Sequence, residues 1–347
     1  MCCPCTTASE FMWALNNRTA YSAERNWTRD RDGLHWWLVA VRATFDIGRS
    51  GRLSLSDVQP PPCLMPEYFG DPGGSSLRYD SDLLASKPGT DILVIAQAHA
   101  PHGKPAQCVP VSLRVGPLRK VLLVHGERFY DRSWSGISLT RAQSFTTCPI
   151  RYEGAFGGSD LSAPDTSKHR IDERNPIGRG FATRMAHVVG KTAHSIEYPK
   201  GEPAQRGPAG YGPIDSSWMP RRKLAGTYDA RWERTKKPLL PDDFDPTFAL
   251  SSPMDQRPEM PLLGGEPVEL LNMTPDGVLR FELPRLSLGF TTRIAARREE
   301  HGAQLATVLV EPEQRRLCLV WQSKLRVSAL DADYLDETEI VELGSTA

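Results

Sequence analysis

Apolar and polar residues alternate along the first third of the chain, as they do in β-strands. Between residues 35 and 47 the apolar residues share one face, namely Trp37, Val39, Val41, Ala43, Phe45 and Ile47. Polar residues fall on the opposite face, namely Arg42, Thr44 and Asp46. This period of two predicts a half-buried strand. Turn residues at 30–33 predict a hairpin with a segment that ends near Trp27, and further strands are predicted over 91–98, 109–115 and 119–125.

The last third returns to the same pattern. Residues 266–273 and 278–283 flank a Thr-Pro-Asp-Gly turn, which is typical of a hairpin. A second hairpin is predicted over 304–310 and 317–325, and residues 289–298 form a candidate strand between the two hairpins. The pattern predicts a mainly β fold of packed antiparallel sheets, sandwich-like, with few short helices.

The middle of the chain, residues 151–262, has short apolar runs and many Gly and Pro residues. Its aromatic residues predict a loop-rich insert that packs onto the sheets, namely Tyr152, Phe156, Phe181, Trp218, Tyr228, Trp232, Phe244 and Phe248. Residues 228–236 are predicted to form a short helix with Asp229 in its first turn, and 185–196 form either a strand or a short helix. We therefore divide the chain into 1–150, 151–262 and 263–347, and expect the first and third parts to form one structural unit.

Two blocks of this insert combine Gly, Pro, aromatic and charged residues. The first contains Arg151, Tyr152, Glu153, Phe156, Gly157 and Gly158. The second contains Asn175, Pro176, Gly178, Arg179, Gly180 and Phe181. A later stretch adds Trp232, Pro241, Asp242 and Phe244. Ordered loops on a rigid scaffold usually present a recognition surface, so these residues are candidates for structural or partner-binding roles.

The charged residues of the two blocks permit two interpretations. Arg179, between two glycines, either projects toward a partner or pairs with Glu153 or Asp172 inside the fold, where it would clamp two loops. We favour the internal clamp. Asn175 and Arg179 are then predicted to tie loops together near Tyr152 and Phe156.

Composition narrows the classes of partner and location. The 347 residues include 42 basic and 42 acidic residues, so the formal net charge is zero. A neutral chain has no broad positive field for nucleic acid or an anionic membrane. No apolar run approaches the length of a membrane span, and no secretory signal precedes the first strand. We therefore expect a cytoplasmic protein without membrane insertion.

Candidate metal ligands are few and scattered. His99 and His102 form a close pair whose alternative role is hydrogen bonding within a loop. The carboxylates Asp242, Asp243 and Asp245 lack the spacing of a calcium loop, and turn or capping roles are favoured. The cysteines Cys2, Cys3 and Cys5 lack a second ligand pair with zinc spacing. We predict neither a metal nor a cofactor.

Catalytic motifs are equally hard to find. No Gly-rich loop lies between a strand and a helix in the manner of a nucleotide site, and no Gly-x-Ser-x-Gly elbow is present. The sequence therefore favours a binding protein over an enzyme.

A series of motifs along most of the chain, roughly residues 16–325, resembles one protein family. The motifs lie at 32–33 with 36–45, 81–83 with 87–91, 98–103, 152–158, 175–181, 226–232, 238–248, 264–270 and 319–321. The family that they resemble is encoded in bacterial type VI secretion gene clusters. Its members are regarded as adaptors or chaperones for secreted toxic effectors.

This resemblance implies an adaptor or chaperone that binds a cognate effector and promotes its stability and loading onto the secretion spike. The implied partners are the effector protein and the spike protein or its tip-capping domain. One alternative is a carbohydrate- or peptide-acting enzyme with a cleft lined by the insert, using Trp218, Trp232 and the carboxylates of 242–245. Another is a structural baseplate component.

Overall fold

The computed structural model of the protein describes residues 12–344, so Cys2, Cys3 and Cys5 lie outside the described residues. Its first twelve strands are β1 (Ala14–Asn17), β2 (Ser22–Arg29), β3 (His35–Ile47), β4 (Leu53–Leu55), β5 (Glu67–Tyr68), β6 (Leu77–Tyr79), β7 (Asp91–Val94), β8 (Gln97–His99), β9 (Cys108–Val115), β10 (Leu118–His125), β11 (Tyr130–Ser133) and β12 (Gly136–Leu139). The others are β13 (Thr147–Pro149), β14 (Phe156–Gly157), β15 (Ser159–Asp160), β16 (Arg170–Ile171), β17 (Arg179–Gly180), β18 (Ile196–Glu197), β19 (Pro267–Leu271), β20 (Val278–Glu282), β21 (Ser287–Ile294), β22 (Arg297–Glu311), β23 (Arg316–Val327) and β24 (Leu335–Leu343).

Helices are short throughout the described part of the chain. The two α-helices are α1 (Pro203–Arg206) and α2 (Ala230–Thr235). The 3₁₀-helices are Pro101–Gly103, Tyr152–Gly154, Thr166–Lys168, Met185–Val188, Arg221–Ala225, Pro246–Ala249, Met254–Gln256, Pro312–Gln314 and Ala332–Tyr334. Asp229 caps α2 by accepting a hydrogen bond from the Trp232 amide at 2.8 Å, close to the predicted helix start. Between residues 12 and 344, no helix is both long and apolar enough to cross a membrane.

Two sheets dominate the fold. The larger has nine strands, with β1-β24-β21-β22-β23-β3-β2 in order, β4 beside β3 and β7 beside β22. The smaller runs β18-β10-β9-β19-β20. Strands from the first and last thirds of the chain are neighbours in both sheets. The predicted hairpins are present as β2–β3, β19–β20 and β22–β23, all antiparallel.

One apolar core joins the inner faces of the two sheets. Trp37, Val39 and Val41 of β3 belong to the same buried cluster as Val111 and Leu113 of β9. Each fully buried apolar side chain contributes about 1.5–3 kcal/mol, so this shared core holds the sheets face to face. The predicted mainly β fold of packed antiparallel sheets is confirmed.

One detail of the predicted sheets was wrong. β3 is buried on both faces, because residues 59–83 cover the face that was predicted to be open. There, Gln59 Nε2 donates to the Thr44 carbonyl at 2.8 Å, and Arg42 Nη1 donates to Pro61 at 3.2 Å. The larger sheet also contains two parallel pairs that were not predicted, β1 with β24 and β7 with β22. Each of these pairs joins strands that are distant in sequence, which alternation within a single strand does not reveal.

The insert packs onto the sheets through only part of its aromatic set. Tyr152 and Trp218 enter the common core, with ring centroids 5.6 Å apart. Tyr211, which was not among the predicted anchors, is fully buried beside them. Tyr228 instead packs on Trp232 at the surface, with centroids 4.7 Å apart. The insert is therefore anchored in the core as far as Trp218, whereas the aromatic pairs that follow order their own loops.

The turn between β3 and β4 closes against the outer strand of the smaller sheet. Hydrogen bonds from Asn272 N to Gly277 O and from Leu283 N to Glu266 O set the β19–β20 ladder. Their alternation directs the Arg280 carbonyl away from β19. Gly51 (φ +83°) lies against this carbonyl, and a β-carbon at position 51 would overlap with it. The turn thus requires glycine at this position.

Candidate partner-binding surface

The two glycine-rich blocks lie side by side and are joined through their backbones. β14 pairs with β17 in parallel, with Phe156 opposite Arg179 and Gly157 opposite Gly180. The Arg179 amide donates to Ala155 O and the Phe181 amide to Gly157 O, both at 2.9 Å. Gly158 N donates to Asn175 O at 2.8 Å, and Gly178 lies beside the Asn175 side chain. The blocks therefore form one rigid unit.

Asn175 is the centre of this unit. It is fully buried, and its Nδ2 donates to Tyr152 O at 2.8 Å and to Phe156 O at 3.0 Å. These are the contacts predicted for it. Pro176 follows it in the turn that leads to Gly178. Within residues 12–344 the Asn175 Oδ1 atom has no hydrogen-bond partner, so the two Nδ2 bonds carry the side chain's polar interactions.

The predicted clamp by Arg179 is wrong. Asp172 is bound by Arg174, through Nε at 2.9 Å and Nη2 at 2.7 Å. Glu153 accepts hydrogen bonds from the amide and hydroxyl of Ser76 instead. The Arg179 side chain is exposed and forms no ion pair with any described residue. The backbone of β17 holds this block in place, and Arg174 reaches Asp172 because it lies only two residues away.

The second block also positions a hairpin that sequence reasoning missed. β11 and β12 form a separate two-stranded hairpin, whose first residue is Tyr130. A β-carbon on Gly180 (φ +101°) would overlap with the Tyr130 hydroxyl, so glycine at position 180 permits this close approach. Tyr130 also lies 3.1 Å from His194 Nδ1, and Ile137 of β12 packs against the small apolar cluster around Tyr130. We call this element the Trp134 hairpin, after the residue in its turn.

Trp134 is completely exposed, at 100% of its reference area. In the insert, the segments next to Asp160 carry three apolar side chains that are at least half exposed: Leu161 at 58%, Ile171 at 53% and Met185 at 50%. The segments that carry Leu161 and Met185 meet at Asp160. The only sequence signal for this surface is a tryptophan flanked by serines just before Gly136.

Asp160 fixes those two segments by accepting from four donors. Its Oδ2 accepts from Thr183 N at 2.8 Å, from the Thr183 hydroxyl at 2.5 Å and from His187 Nδ1 at 2.8 Å. Its Oδ1 accepts from the Ser162 amide at 3.2 Å. Hydrogen bonds from His187 and Thr183 hold the pKa of Asp160 well below its usual value. The carboxylate therefore stays ionised and keeps the loop ordered.

A small pocket opens beside the first block. Its mouth carries Phe69, Arg78 and Arg151, and its wall includes Val94, Ala96 and Ile150. The pocket volume is about 270 Å³. The Arg151 guanidinium lies 3.8 Å from the centroid of the Phe69 ring, and that of Arg78 lies 5.8 Å from the same centroid. We call this the Phe69 pocket.

The candidates from the later insert form local turns. Trp232 Nε1 donates to Leu239 O at 2.8 Å, and Phe244 packs on Phe248 with centroids 6.0 Å apart. The Pro241 carbonyl accepts from the Phe244 amide at 3.1 Å. Asp242 forms an exposed ion pair with Lys236 at 2.6 Å.

The neighbouring carboxylates, Asp243 and Asp245, serve the same turns. Asp243 accepts from the Thr227 amide at 2.9 Å, and Asp245 accepts from the Thr247 amide at 2.8 Å at a helix start. Asp245 thus has the capping role predicted for the acidic run, whereas Asp243 joins its turn to the one at Thr227. Trp218 is buried in the core rather than lining a cleft with Trp232.

The close histidine pair is divided between two environments. His99 Nε2 lies 2.5 Å from Glu313 Oε1, whereas His102 is exposed in a 3₁₀-helix with φ +57°. In the part of the chain that the structure describes, no group of three His, Cys, Asp or Glu side chains is arranged to hold a metal ion.

A buried ion pair was also missed. Lys87 Nζ lies 2.8 Å from Asp91 Oδ2 and donates to Thr307 Oγ1 at 2.8 Å. The amides of Ser251 and Ser252 donate to the two Asp91 oxygens at 3.0 and 2.9 Å. Burial alone would raise the pKa of Asp91, but Lys87 and the serine donors outweigh it and lower that pKa. The sequence signal for this ion pair was a lysine and an aspartate four residues apart, just before an apolar run.

One family model matches most of the chain. It is described as an uncharacterized protein conserved in bacteria (DUF2169), and it covers residues 32–322. The matched range includes both glycine-rich blocks, the Trp134 hairpin, the Phe69 pocket and the Lys87–Asp91 pair. No curated protein and no solved structure matches the chain.

Proposed function

The chain belongs to the bacterial family DUF2169, and we propose that it is an adaptor that binds a cognate type VI secretion effector. In this role it stabilises the effector in the cytoplasm and promotes its loading onto the spike protein or its tip-capping domain. The ordered motif series from 32 to 321 supports this assignment through its resemblance to such adaptors. The function is binding rather than catalysis.

The observation that carries the proposal is the fully exposed Trp134. Leaving a large aromatic side chain in water forgoes stabilisation that burial would provide. Tryptophan is also among the residues most enriched at the energetic centres of protein interfaces. Because Gly180 and Tyr130 fix the base of the hairpin, Trp134 is presented on a rigid support.

The insert adds further exposed apolar area. Leu161, Ile171 and Met185 are each at least half exposed, on segments that meet around Asp160. Exposed apolar groups rimmed by polar residues are typical of protein interaction sites. An effector segment that aggregates when free would be covered by such a surface, and binding to its ordered form would stabilise it by mass action.

A pull-down from cells that contain the effector and the spike protein tests the proposal. Trp134→Ala should lose the effector while its melting temperature stays at the wild-type value, since the side chain makes no buried contact. Tyr334→Ala is the matched control, because Tyr334 is an exposed aromatic (61%) in a different turn. This control should retain the effector.

Deletion of the gene provides the second test. The effector should disappear from the secreted fraction while the apparatus still fires. Unchanged effector export would refute the adaptor role. Cleavage of a glycan or peptide by the purified chain would favour the alternative enzyme.

A further inference from the structure

We propose that the Phe69 pocket recognises a carboxylate on the bound protein segment. The inference deepens the proposed function, on which it rests, by naming the chemistry that the adaptor reads in its partner. It is drawn from the two guanidinium groups at the mouth of the pocket and from the groups that do and do not pair with them.

Arg151 has the geometry of a prepared anion receptor. Its guanidinium lies 3.8 Å from the centroid of the Phe69 ring, so the ring occupies one flat face and leaves the N–H edge open. No acidic residue between 12 and 344 pairs with Arg151. A guanidinium offers five donors in a fixed fork that matches the two oxygens of a carboxylate. Stacking on Phe69 holds the fork in place before a ligand arrives.

Arg78 adds a second positive charge that its neighbours leave largely uncompensated. Its nearest carboxylate is Glu311 at 3.7 Å. The fully buried Glu311 is already held by Arg316 at 2.6 Å and by the Tyr79 hydroxyl at 2.5 Å. The Arg78 Nε atom is buried and has no hydrogen-bond partner among the described residues, and the guanidinium lies 4.8 Å from the centroid of the Tyr79 ring. Arg78 and Arg151 thus place two guanidinium groups at the pocket mouth, and no carboxylate oxygen among the described residues lies closer than 3.7 Å to either of them.

The other acidic groups near the pocket are engaged elsewhere. Glu313, on the rim, lies 2.5 Å from His99 Nε2. Both oxygens of Glu153 accept from Ser76. Neither carboxylate is bonded to Arg78 or Arg151, so an incoming anion does not have to displace an internal partner.

The size of the pocket favours a small acid on a peptide. Its volume of about 270 Å³ lies near the lower end of the range of about 300–1,000 Å³ that is typical of small-molecule sites, which suits a single side chain or a chain end. Val94, Ala96 and Ile150 line the wall, which suits the apolar part of a side chain or chain end. A C-terminal carboxylate and a glutamate side chain share this chemistry.

Nuclear magnetic resonance of protein labelled with ¹⁵N-arginine tests the inference directly. The Arg151 Nε–Hε signal is assigned from its loss in Arg151→Lys. The probes are acetyl-leucyl-leucine, which has a free α-carboxylate, its C-terminal amide, acetyl-glutamyl-leucine amide and inorganic phosphate. Titration to millimolar concentration detects weak binding by such short ligands.

At least one acid should shift the Arg151 signal to saturation, and the neutral amide should not. The tighter of the two acids distinguishes a chain terminus from a side chain. Arg151→Gln should weaken this binding by about tenfold or more, since it removes a charge-assisted bidentate contact. Phe69→Leu should also weaken it by removing the ring, whereas Arg132→Gln, an exposed arginine on the Trp134 hairpin, should have no effect.

Three results would overturn the inference: no shift with either acid, an equal shift with the neutral amide, or tighter binding of phosphate than of both acids. These outcomes are separable from those of the adaptor test. Effector capture that depends on Trp134, without acid binding, would leave the adaptor role and remove the carboxylate site. Acid binding without effector capture would support the carboxylate site and argue against the adaptor role.

Discussion

The Lys87–Asp91 pair and the Arg151–Phe69 pair use positive charge in opposite ways. Lys87 is buried, and Asp91, Thr307 and the serines beside Asp91 supply partners for both charges. Arg151 is exposed and stacked on a ring, with its donors open to solvent. Both positions belong to or adjoin the motifs that define the family resemblance.

The difference separates structural from available polar groups. A buried charge without a partner costs several kcal/mol, so the fold has to pair it internally. A surface guanidinium has no such requirement, and its pairing with an external carboxylate becomes possible. Counting the partners of each charged group therefore distinguishes residues that hold the fold from residues that meet a ligand.

The largest effect is expected from breaking the buried pair. Lys87→Met leaves the Asp91 carboxylate buried without its counter-charge, and should lower the free energy of unfolding by about 3–5 kcal/mol. Denaturant unfolding measures this change. Lys237→Met is the matched control, because Lys237 and Glu233 form a pair with the same four-residue spacing at the surface. The control should unfold almost like wild type, and equal losses in both variants would contradict the distinction.

His301 sharpens the comparison, because its neighbours are neutral hydroxyls rather than charges. Its Nε2 lies 2.8 Å from Thr292 Oγ1 and its Nδ1 lies 2.5 Å from Ser323 Oγ. Burial lowers the pKa of His301 to about 4 from 6.5. The unfolded chain therefore binds a proton that the folded chain rejects between these values. The contribution of neutral His301 to the free energy of unfolding is fully present above pH 6.5. The free energy of unfolding should fall by up to about 3 kcal/mol as the pH drops to 4.

Denaturant unfolding from pH 7 to pH 4 measures that loss. The carboxylates also titrate near the lower limit, so the comparison is with His301→Gln under the same conditions. The variant should show a smaller decrease between pH 6.5 and 5. The same slope in both proteins would exclude His301 as the cause.

The next prediction concerns the contact between Gly180 of the second block and Tyr130 at the base of the Trp134 hairpin. Gly180→Ala adds a β-carbon that overlaps with the Tyr130 hydroxyl at a positive φ, and should cost about 2 kcal/mol. Amide hydrogen exchange over residues 130–139 should accelerate. Gly73→Ala has a similar positive φ (+81°) with open space around the added carbon. It should leave exchange in the hairpin unchanged.

The smallest effect is expected at Arg179. Its side chain is exposed and forms no ion pair with the described residues, so Arg179→Ala should change the free energy of unfolding by less than about 0.5 kcal/mol. Arg174→Ala, which removes both contacts to Asp172, should cost more. A melting temperature that falls further for Arg179→Ala than for Arg174→Ala would support the original prediction of a clamp by Arg179.

The sequence predicted the positions of strands better than it predicted which segments pack on their faces. Alternation over residues 35–47 located β3 correctly, because strand periodicity is a local property. It did not reveal that residues 59–83 cover the second face, since that contact depends on a distant segment. The Thr-Pro-Asp-Gly turn located the β19–β20 hairpin for the same local reason.

The candidate site shows a similar division. Glycine-rich blocks indicated tight loops, and the predicted contacts of Asn175 are present. The residue pattern of these blocks did not decide whether Arg174 or Arg179 forms the ion pair with Asp172, because both arginines lie close to Asp172 along the chain. Trp134 was missed because a single aromatic residue in a polar segment has no periodic partner. Its exposure emerges only when the rest of the fold fails to cover it.

The contact of Gly51 with the Arg280 carbonyl has a consequence for how the molecule behaves at high concentration. The outer strand of a sheet offers unpaired amides and carbonyls on which another chain can add a strand, and natural proteins obstruct such edges to avoid aggregation. The 48–52 turn obstructs β20 in this way, because Gly51 rests directly on an outward-facing carbonyl. Any side chain at position 51 would lift the turn from the sheet. The protection that this turn gives to the β20 edge thus depends on the absence of a β-carbon at position 51.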